Sequence, residues 1–535
     1  MKTEKLNFTT KLAYGSGDMG PAITANVLVF FLLYFCTNVA GLPAGMAGSI
    51  LAIGKISDAV NDPIIGVLSD RTRTKWGRRI PWMLWGMIPF GLCFFCLWLV
   101  PNFSSDPNIN NWCLFAYYVI VAILFHISYT SVNLPYTTLT PELTQDYNER
   151  TNLNSFRFAF SIGGSILSLI LASFIFGAYP DDPRKQYFVL ALVVSIVAMV
   201  ALLWCALRIQ ERGAEPILNQ QNKKNLGYFL IVIATISLIY GIANLSSAPV
   251  NGVLGILLSL QLLGFGCTLI FAKTESHLCD REAIAQRESA NSTTSIPILE
   301  QVKIALQNKP FRYVIGIYLC SWLAVQLTAS ILIYFTVSYM GLPEADFPKT
   351  AIAVQGTALV MLFFWKFVSS KIGKKAVYFI GTSFWIVAQI GLFLIQPGQI
   401  TLLYILAILA GFGVSVAYLI PWSMIPDVIE LDELNTGQRR EGIFYSFMVL
   451  LQKFGLAFAV FLVGIALQLS GFIERIPGEA IPQQPESALL AIRFAVAPLP
   501  TVTLIIGVIL AYFYPITKEY HEEIRLKLQE RKANS

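Results

Sequence analysis

Apolar runs long enough to cross a membrane recur along the whole chain and alternate with short polar segments. An α-helix needs about 20 mostly apolar residues to span the hydrocarbon core of a bilayer. The pattern therefore predicts six spans in each half of the chain and two more between the halves. The predicted spans are 22–40, 46–66, 80–100, 112–134, 156–178, 187–208, 227–245, 250–272, 311–340, 350–368, 376–395, 400–425, 442–468 and 488–515.

Composition supports an all-α polytopic membrane protein with about fourteen spans. Of the 535 residues, 55% are hydrophobic and 13% are charged, and the mean hydropathy is +0.62. A soluble chain would carry about 25% charged residues. The eight cysteines lie mostly in apolar runs, so we interpret them as small packing groups and not as a metal or redox site.

The distribution of Lys and Arg orients the chain in the membrane. When the N-terminus is placed inside, 31 of the 38 basic residues fall in cytoplasmic segments and five fall outside. Cytoplasmic loops of membrane proteins carry such an excess, so we expect both termini in the cytoplasm. The net charge of +6 then reflects basic inner loops and does not indicate nucleic-acid binding.

Three segments of the first half recur in the same order in the second half. The pairs are Tyr34-Phe35 and Gly41-Leu42-Pro43 with Tyr334-Phe335 and Gly341-Leu342-Pro343, 77–79 with 373–375, and 135–142 with 421–427. Two parallel six-span halves are the architecture of the major facilitator transporters. We predict an N-terminal half at 1–210, two extra spans and a cytoplasmic linker at 211–310, a C-terminal half at 311–517, and a cytoplasmic tail at 518–535 that is a short charged helix or disordered.

Ionisable residues interrupt the second predicted span at Lys55, Asp58 and Asp62. Asp58 and Asp62 are four residues apart and therefore share one helix face, and Asn61 lies beside them. Charges within a bilayer are costly and usually mark an ion or substrate path. We predict a monovalent-cation site at this point, and the alternative is a structural polar knot with Lys55.

The second half of the chain lacks these charges. At an offset of 300 residues, the equivalent positions hold Gln355, Ala358 and Leu362. A purely structural role would be expected in both halves, so the asymmetry favours the cation site. Two carboxylates one turn apart repel each other unless a cation or proton lies between them, and sodium and a proton remain alternatives.

Other polar residues are candidates for solute binding or gating. Lys453 lies mid-span, where snorkelling to the surface is difficult, and we predict that it faces the bundle. For Arg157, near the inner end of its span, both snorkelling and a ligand role remain open, and Tyr418 could stack against a ring. We interpret His126 as a packing histidine. The loop after the second span is the candidate gating loop, with Asp70, Arg71, Arg78 and Arg79.

Four segments resemble the glycoside–pentoside–hexuronide:cation symporters, the sodium:galactoside family of the major facilitator superfamily. They are TTKLAYGSGDMG, DAVNDPIIGVLSDRTRTKWGRRIPW, SYTSVNLPYTTLTPEL and VLLQKFG. The resemblance implies a cation-coupled symporter with cation ligands at Asp58, Asn61, Asp62 and Thr130. It also implies solute-binding or coupling roles for Arg157 and Lys453.

The chain departs from the galactoside-specific members of this family at three positions. Those members carry an acid where this chain has Ala22, a second acid where it has Asn133, and a tryptophan where it has Thr137. The lost acids accept hydrogen bonds from sugar hydroxyls, so we expect weak or absent galactoside transport. Asn133 can still bond a neutral hydroxyl, and similar animal relatives carry lysolipids.

Taken together, these patterns predict a secondary symporter in the cell membrane, an inner membrane in bacteria. It would couple sodium or a proton to the uptake of a small organic solute, a sugar or glycoside, by alternating access. The alternatives are a lysolipid carrier, a fourteen-span proton-coupled exporter and a membrane sensor. The chain has no G-x-x-x-x-G-K-[ST] loop and no intramembrane nucleophile–base pair, so we expect no ATP-driven transport and no enzyme activity. We also expect a monomer in the bilayer, without a cofactor beyond the coupling ion.

Overall fold

The computed structural model describes residues 6–144, 147–211, 214–271, 303, 306–436, 441–475 and 482–534. These residues form helices joined by short loops, and the β-type pairing within them is a single bridge between Thr74 and Gly77. The helices before residue 271 are α1 (Phe8–Val27), α2 (Leu33–Asn38), α3 (Ala44–Arg71), α4 (Ile80–Cys96), α5 (Pro107–Thr137), α6 (Thr140–Leu143), α7 (Tyr147–Ala178), α8 (Pro183–Arg208), α9 (Gln220–Asn244) and α10 (Pro249–Ile270).

The remaining helices follow the predicted linker, most of which lies outside the described residues. They are α11 (Lys309–Tyr334), α12 (Phe347–Ile372), α13 (Lys374–Leu394), α14 (Ile400–Thr436), α15 (Glu441–Leu469), α16 (Glu486–Val496), α17 (Pro498–Phe513) and α18 (Lys518–Asn534). Two π-helical segments, Leu28–Leu32 and Phe335–Tyr339, continue α1 and α11.

The predicted spans all coincide with helices. Within the described residues, twelve helical segments are long and apolar enough to cross a membrane, and α4 is a shorter apolar helix. The remaining predicted span is α3, the 28-residue helix that carries Lys55, Asp58 and Asp62. The all-α prediction with about fourteen helical spans is confirmed.

Contacts divide the chain into two compact units. Unit 1 comprises Met1–Leu28 and Ser57–Thr293, and unit 2 comprises Val29–Ile56 and Thr294–Ser535. The division cuts α3 between Ile56 and Ser57, so that one continuous helix contributes to both units. The repeat-based domain boundaries remain a prediction.

The extra helices α9 and α10 form a tight hairpin within unit 1. Glycine allows the close approach, because a Cβ added at Gly255 would lie 2.8 Å from the Cα of Gly241. The hairpin docks on α8 through a buried hydrogen bond of 2.7 Å from Trp204 Nε1 to Thr268 Oγ1. The other face of α9 exposes large apolar side chains, as a lipid-facing helix does. These are Tyr228, Phe229, Val232, Ile236 and Ile239.

The C-terminal tail is helical and packs on unit 2. In α18, Ile524 and Leu528 are buried in the same apolar cluster as residues of α11 and α14. His521 Nε2 lies 2.8 Å from Glu430 Oε2 on α14. Of the two forms expected for the tail, the structure shows the helix, because its apolar side reaches an existing core.

The Gly255→Ala variant tests the hairpin packing. The new methyl group must displace the backbone at Gly241, and such overpacking costs about 1–3 kcal/mol. We expect a lower thermal unfolding midpoint in detergent. The matched control is Gly177→Ala in α7, where an added Cβ meets nothing within 4 Å. Equal midpoints for the two variants would contradict the proposed close contact.

Candidate functional site

Asp58 and Asp62 on α3 meet Thr130 on α5 inside unit 1. Their spacing of four residues places both carboxylates on the side of α3 that faces α5. Thr130 Oγ1 lies 2.9 Å from Asp58 Oδ1 and 3.2 Å from Asp62 Oδ1. Asp58 is 2% exposed and Thr130 1% exposed, so both are withdrawn from bulk solvent, whereas Asp62 is half-buried. The structure thus brings together three of the four predicted cation ligands.

Two carboxylates and one hydroxyl group converge in this cluster. A threonine hydroxyl has a single hydrogen, so Thr130 can donate to one carboxylate at a time. The second contact then brings two oxygen lone pairs together, next to a second anion. A proton or a monovalent cation among the three oxygens relieves this repulsion.

Asn61 and His126 are two further polar residues near Asp58. Asn61 donates from Nδ2 to Ser57 Oγ at 3.1 Å, one turn back on its own helix. The predicted ligand Asn61 therefore turns toward Ser57 in this structure. His126 Nδ1 lies 3.9 Å from Asp58 Oδ2, and the His126 side chain is buried. Sequence reasoning treated His126 only as a packing residue and missed this proximity.

A second charged pair lies in the same unit, between α1 and α7. Arg157 Nε lies 3.4 Å from Asp18 Oδ2, and the two side chains are 25% and 9% exposed. Asp18 is four residues before Ala22, so both face the same side of α1. The first helix therefore has an acid one turn away from the position where the resemblance expects one. The position of Asp18 one turn before Ala22 can be recognised in the sequence. It does not show that α7 supplies the partner of Asp18.

Tyrosines hold the Asp18–Arg157 pair in place. The Arg157 guanidinium lies 5.9 Å from the centre of the Tyr136 ring, within the range of a cation–π contact. Tyr136 donates its hydroxyl hydrogen to the Tyr14 carbonyl at 2.7 Å, and the two rings stack at 5.0 Å. The Tyr14 hydroxyl is 2.5 Å from Thr140 Oγ1. The guanidinium also lies 5.7 Å from the centre of the Phe158 ring, so one carboxylate and two ring faces surround it.

Glu211, which is distant in sequence from the predicted gating loop, holds the end of that loop through its carboxylate. Its carboxylate accepts the backbone N–H groups of Arg78 and Arg79 at 2.7 Å each and of Ile80 at 2.6 Å. These N–H groups open α4, where helical partners are absent and the helix dipole favours an anion. Gly77 has a φ of +106°, and a Cβ there would overlap the Glu211 carboxylate.

Side-chain contacts complete the loop. Arg79 Nη2 lies 2.5 Å from Asp70 Oδ1, and Arg79 Nη1 donates to Ser69 Oγ at 2.9 Å. The side chains of Arg71 and Arg78 are exposed or half-buried. The loop is therefore a compact turn held from within unit 1, with basic side chains at its surface.

The predicted solute residues are distributed over both units. Asn133 lies half-buried on α5 in unit 1, together with Arg157. Tyr418 on α14 and Lys453 in the middle of α15 belong to unit 2. The Tyr418 ring contacts Trp322 edge to face at 5.7 Å, and Trp322 stacks on Tyr318 at 5.9 Å. Unit 2 thus presents an aromatic cluster around Tyr418.

A protein-family model described as MFS/sugar transport protein matches residues 13–229 and 224–518. The chain belongs to this family. The match covers most of both predicted halves and the whole inserted hairpin. It identifies the protein as a multi-pass membrane transporter of the major facilitator type, and not an enzyme.

Individual relatives agree with this assignment. An uncharacterized symporter of Synechocystis sp. is 59% identical and covers 100% of this chain and 99% of its own length. Sodium-dependent lysophosphatidylcholine symporter 1-B of Danio rerio is 26% identical, over 99% of this chain and 91% of the relative. The family and these relatives support a symporter, which has a solute and a cation as partners.

Solved transporter structures share the fold. The inward-open structure of the xylose transporter XylE from E. coli aligns with a TM-score of 0.53 at 13% identity, over 97% of this chain and 98% of that one. The predicted major facilitator fold is confirmed.

Asp18→Asn tests whether the Asp18–Arg157 contact stabilises unit 1. The change leaves a partly buried guanidinium without its anion, and we expect a loss of about 1–3 kcal/mol in the free energy of unfolding, discounted for the 25% exposure of Arg157. The double variant Asp18→Asn/Arg157→Gln should lose less than the sum of the single losses. Strictly additive losses in chemical denaturation would show that the pair does not interact.

Glu211→Gln tests the cap on α4. A glutamine offers one acceptor oxygen where three N–H groups need partners, so at least one N–H loses its bond. We expect trypsin to cleave the loop at Arg73 or Lys75 several times faster. Glu215→Gln is the matched control, because the Glu215 side chain is exposed. Equal cleavage rates in the two variants would contradict a role for Glu211 in ordering the loop.

Proposed function

We propose that the protein is a symporter that couples sodium to the uptake of a small organic solute, with the ion held by Asp58, Asp62 and Thr130. The observation that carries the proposal is the Thr130 hydroxyl within hydrogen-bond distance of both carboxylates. Hard oxygen ligands in a dehydrated pocket suit sodium, and the same oxygens can hold a proton. The Danio rerio relative is named as sodium-dependent and aligns over 91% of its own length, which supports sodium as the coupling ion.

Coupling follows from binding both ligands in one protein. A cation that neutralises the Asp58–Asp62 pair removes their mutual repulsion and fixes α3 against α5. If the solute binds better to that arrangement, each ligand raises the affinity for the other by the same factor. Transport is then favoured only when both sites are filled or both are empty.

The proposed solute is a sugar or glycoside. Asn133 offers a neutral amide for hydroxyl groups, and the rings around Tyr418 offer faces against which a pyranose can stack. The description of the family as sugar transport proteins supports this class.

A lysophospholipid is the second candidate solute. It is favoured by the Danio rerio relative, whose name gives lysophosphatidylcholine as its cargo. Ala22 and Asn133 replace the acids that galactoside carriers use, and Arg157 supplies a guanidinium whose fork suits a phosphate. Uptake assays in liposomes with a methyl glycoside and with lysophosphatidylcholine, each with and without sodium, discriminate the two classes.

The prediction for the cation site concerns Asp58→Asn and Asp62→Asn. Each change keeps the size of the side chain and removes one charge, so sodium loses half of its anionic ligands. Sodium should raise the thermal midpoint of the parent protein in choline buffer, and at least tenfold more sodium should be needed in either variant. A tenfold change corresponds to about 1.4 kcal/mol of binding free energy.

Asp181→Asn serves as the control, because Asp181 is an exposed loop residue. A stabilisation of the parent by acid in place of sodium, again absent from the Asp58 and Asp62 variants, would assign the site to protons. Retention of the full sodium response in both variants would show that the ion binds elsewhere.

A further inference from the structure

A cavity of about 540 Å³ lies within unit 2, where α13 ends and α16 begins. Its walls are the N-terminal part of α16, the residues that follow α13, and Tyr339 of the π-helical segment Phe335–Tyr339. Small-molecule sites in proteins commonly have volumes of about 300–1,000 Å³. The cavity is therefore large enough for a charged head group, and none of its lining residues belongs to the cation or solute residues discussed above.

The cavity carries one charge of each sign. Glu486 and Arg493 both line it, Glu486 as an exposed side chain and Arg493 as a half-buried one. They are seven residues apart on α16, which is about two helical turns, so they share one face of the helix and are about 10 Å apart along its axis. Within the described part of the chain, neither side chain forms an ion pair. Each charge is therefore available to a ligand.

The Arg493 side chain is held in place by neighbours that carry no charge. Its Nη2 donates to the Phe393 carbonyl. The guanidinium carbon lies 4.8 Å from the centre of the Phe393 ring and 5.2 Å from the centre of the Tyr339 ring. Its Nε is buried and has no hydrogen-bond partner among the described residues. The guanidinium thus has donors left over, and its planar fork suits the oxygens of a phosphate group.

Exposed apolar side chains border the cavity. Leu490 lines it and is 47% exposed, and Phe494, one turn further along α16, is 49% exposed. An exposed apolar stripe on α13 also ends two residues before Gln396, which lines the cavity. The members of this stripe are Ile380, Phe384, Val387, Ile390 and Leu394. Such apolar surfaces on membrane proteins contact lipid, so a ligand with a charged head and apolar chains matches both the cavity and its surroundings.

We propose that this cavity binds the head group of a membrane phospholipid that carries a phosphate and a primary ammonium group, as phosphatidylethanolamine does. The phosphate accepts hydrogen bonds from Arg493, and the ammonium donates to Glu486. The acyl chains lie along the exposed stripe of α13. The site is separate from the proposed cation and solute sites, and it holds whichever ion or solute is carried.

The charges and rings of the cavity favour an ethanolamine head group over other phospholipid head groups. A primary ammonium donates hydrogen bonds to a carboxylate, whereas a trimethylammonium group has no N–H to donate. Proteins bind trimethylammonium groups in aromatic cages, but the rings of Tyr339 and Phe393 already face Arg493. A head group with a phosphate and no cation would be repelled by Glu486.

Lipid titration of the purified full-length protein in detergent tests the proposal. We expect phosphatidylethanolamine to raise the thermal unfolding midpoint at lower concentrations than phosphatidylcholine or phosphatidylglycerol. Arg493→Gln should need about tenfold more phosphatidylethanolamine for the same effect, because it removes the charge that pairs with the phosphate. Glu486→Gln should still respond to lipid but lose the preference for phosphatidylethanolamine over phosphatidylcholine.

The variants also separate head-group binding from a general effect of the lipid on the micelle. Glu486→Gln changes an exposed side chain, so it tests the site even if Arg493→Gln disturbs the fold. Glu522→Gln, which changes an exposed acid of α18 in the same unit, should respond as the parent does. Loss of the preference in Glu486→Gln but not in Glu522→Gln supports the site. A parent protein without a preference for phosphatidylethanolamine, or an unchanged preference in Glu486→Gln, would overturn it.

Discussion

The central physical constraint in this molecule is that two carboxylates one turn apart on α3 share one hydroxyl group on α5. The single hydroxyl hydrogen of Thr130 does not neutralise two carboxylate charges. The arrangement is stable only when a proton or cation joins it, or when a basic side chain supplies the charge. In the proposed symport mechanism, an ion bound between these carboxylates would make the conformational preference of the protein depend on the ion.

In the second half of the chain, the position equivalent to Asp58 carries no acid. Ala358, the repeat equivalent of Asp58, is buried in an apolar cluster with Ala324, Val325 and Trp385. At Ala358 the helix packs against its neighbours through apolar side chains. The duplicated fold therefore tolerates either solution at this point, and the first half carries two acids where the second half carries apolar side chains. This contrast favours function over structural necessity for the acids on α3.

Hydropathy and residue spacing were sufficient to predict the helices and the acidic face of α3, because both depend on local periodicity. Thr130 entered through a resemblance in a separate segment. The partners of Arg157 and of the loop 70–79 could not be predicted. Asp18 and Glu211 are distant in sequence from the groups they contact, and a single acid in the sequence has many possible partners. The division of α3 between two units could not be predicted either, because no break in the helical pattern marks it.

The length of α3 links the separate features of the structure. Its Ala44 end is held by Glu474 and by the close approach of Gly464, and its Arg71 end leads into the loop that Glu211 closes. Asp58 lies two residues after the last residue of α3 that belongs to unit 2. Pro63 lies inside α3, five residues after Asp58, and a proline in a helix interior removes one of the backbone hydrogen bonds that resist bending. A cation at the proposed site would therefore act on α3 close to the point where the helix passes from one unit to the other and close to the position where its hydrogen bonding is interrupted.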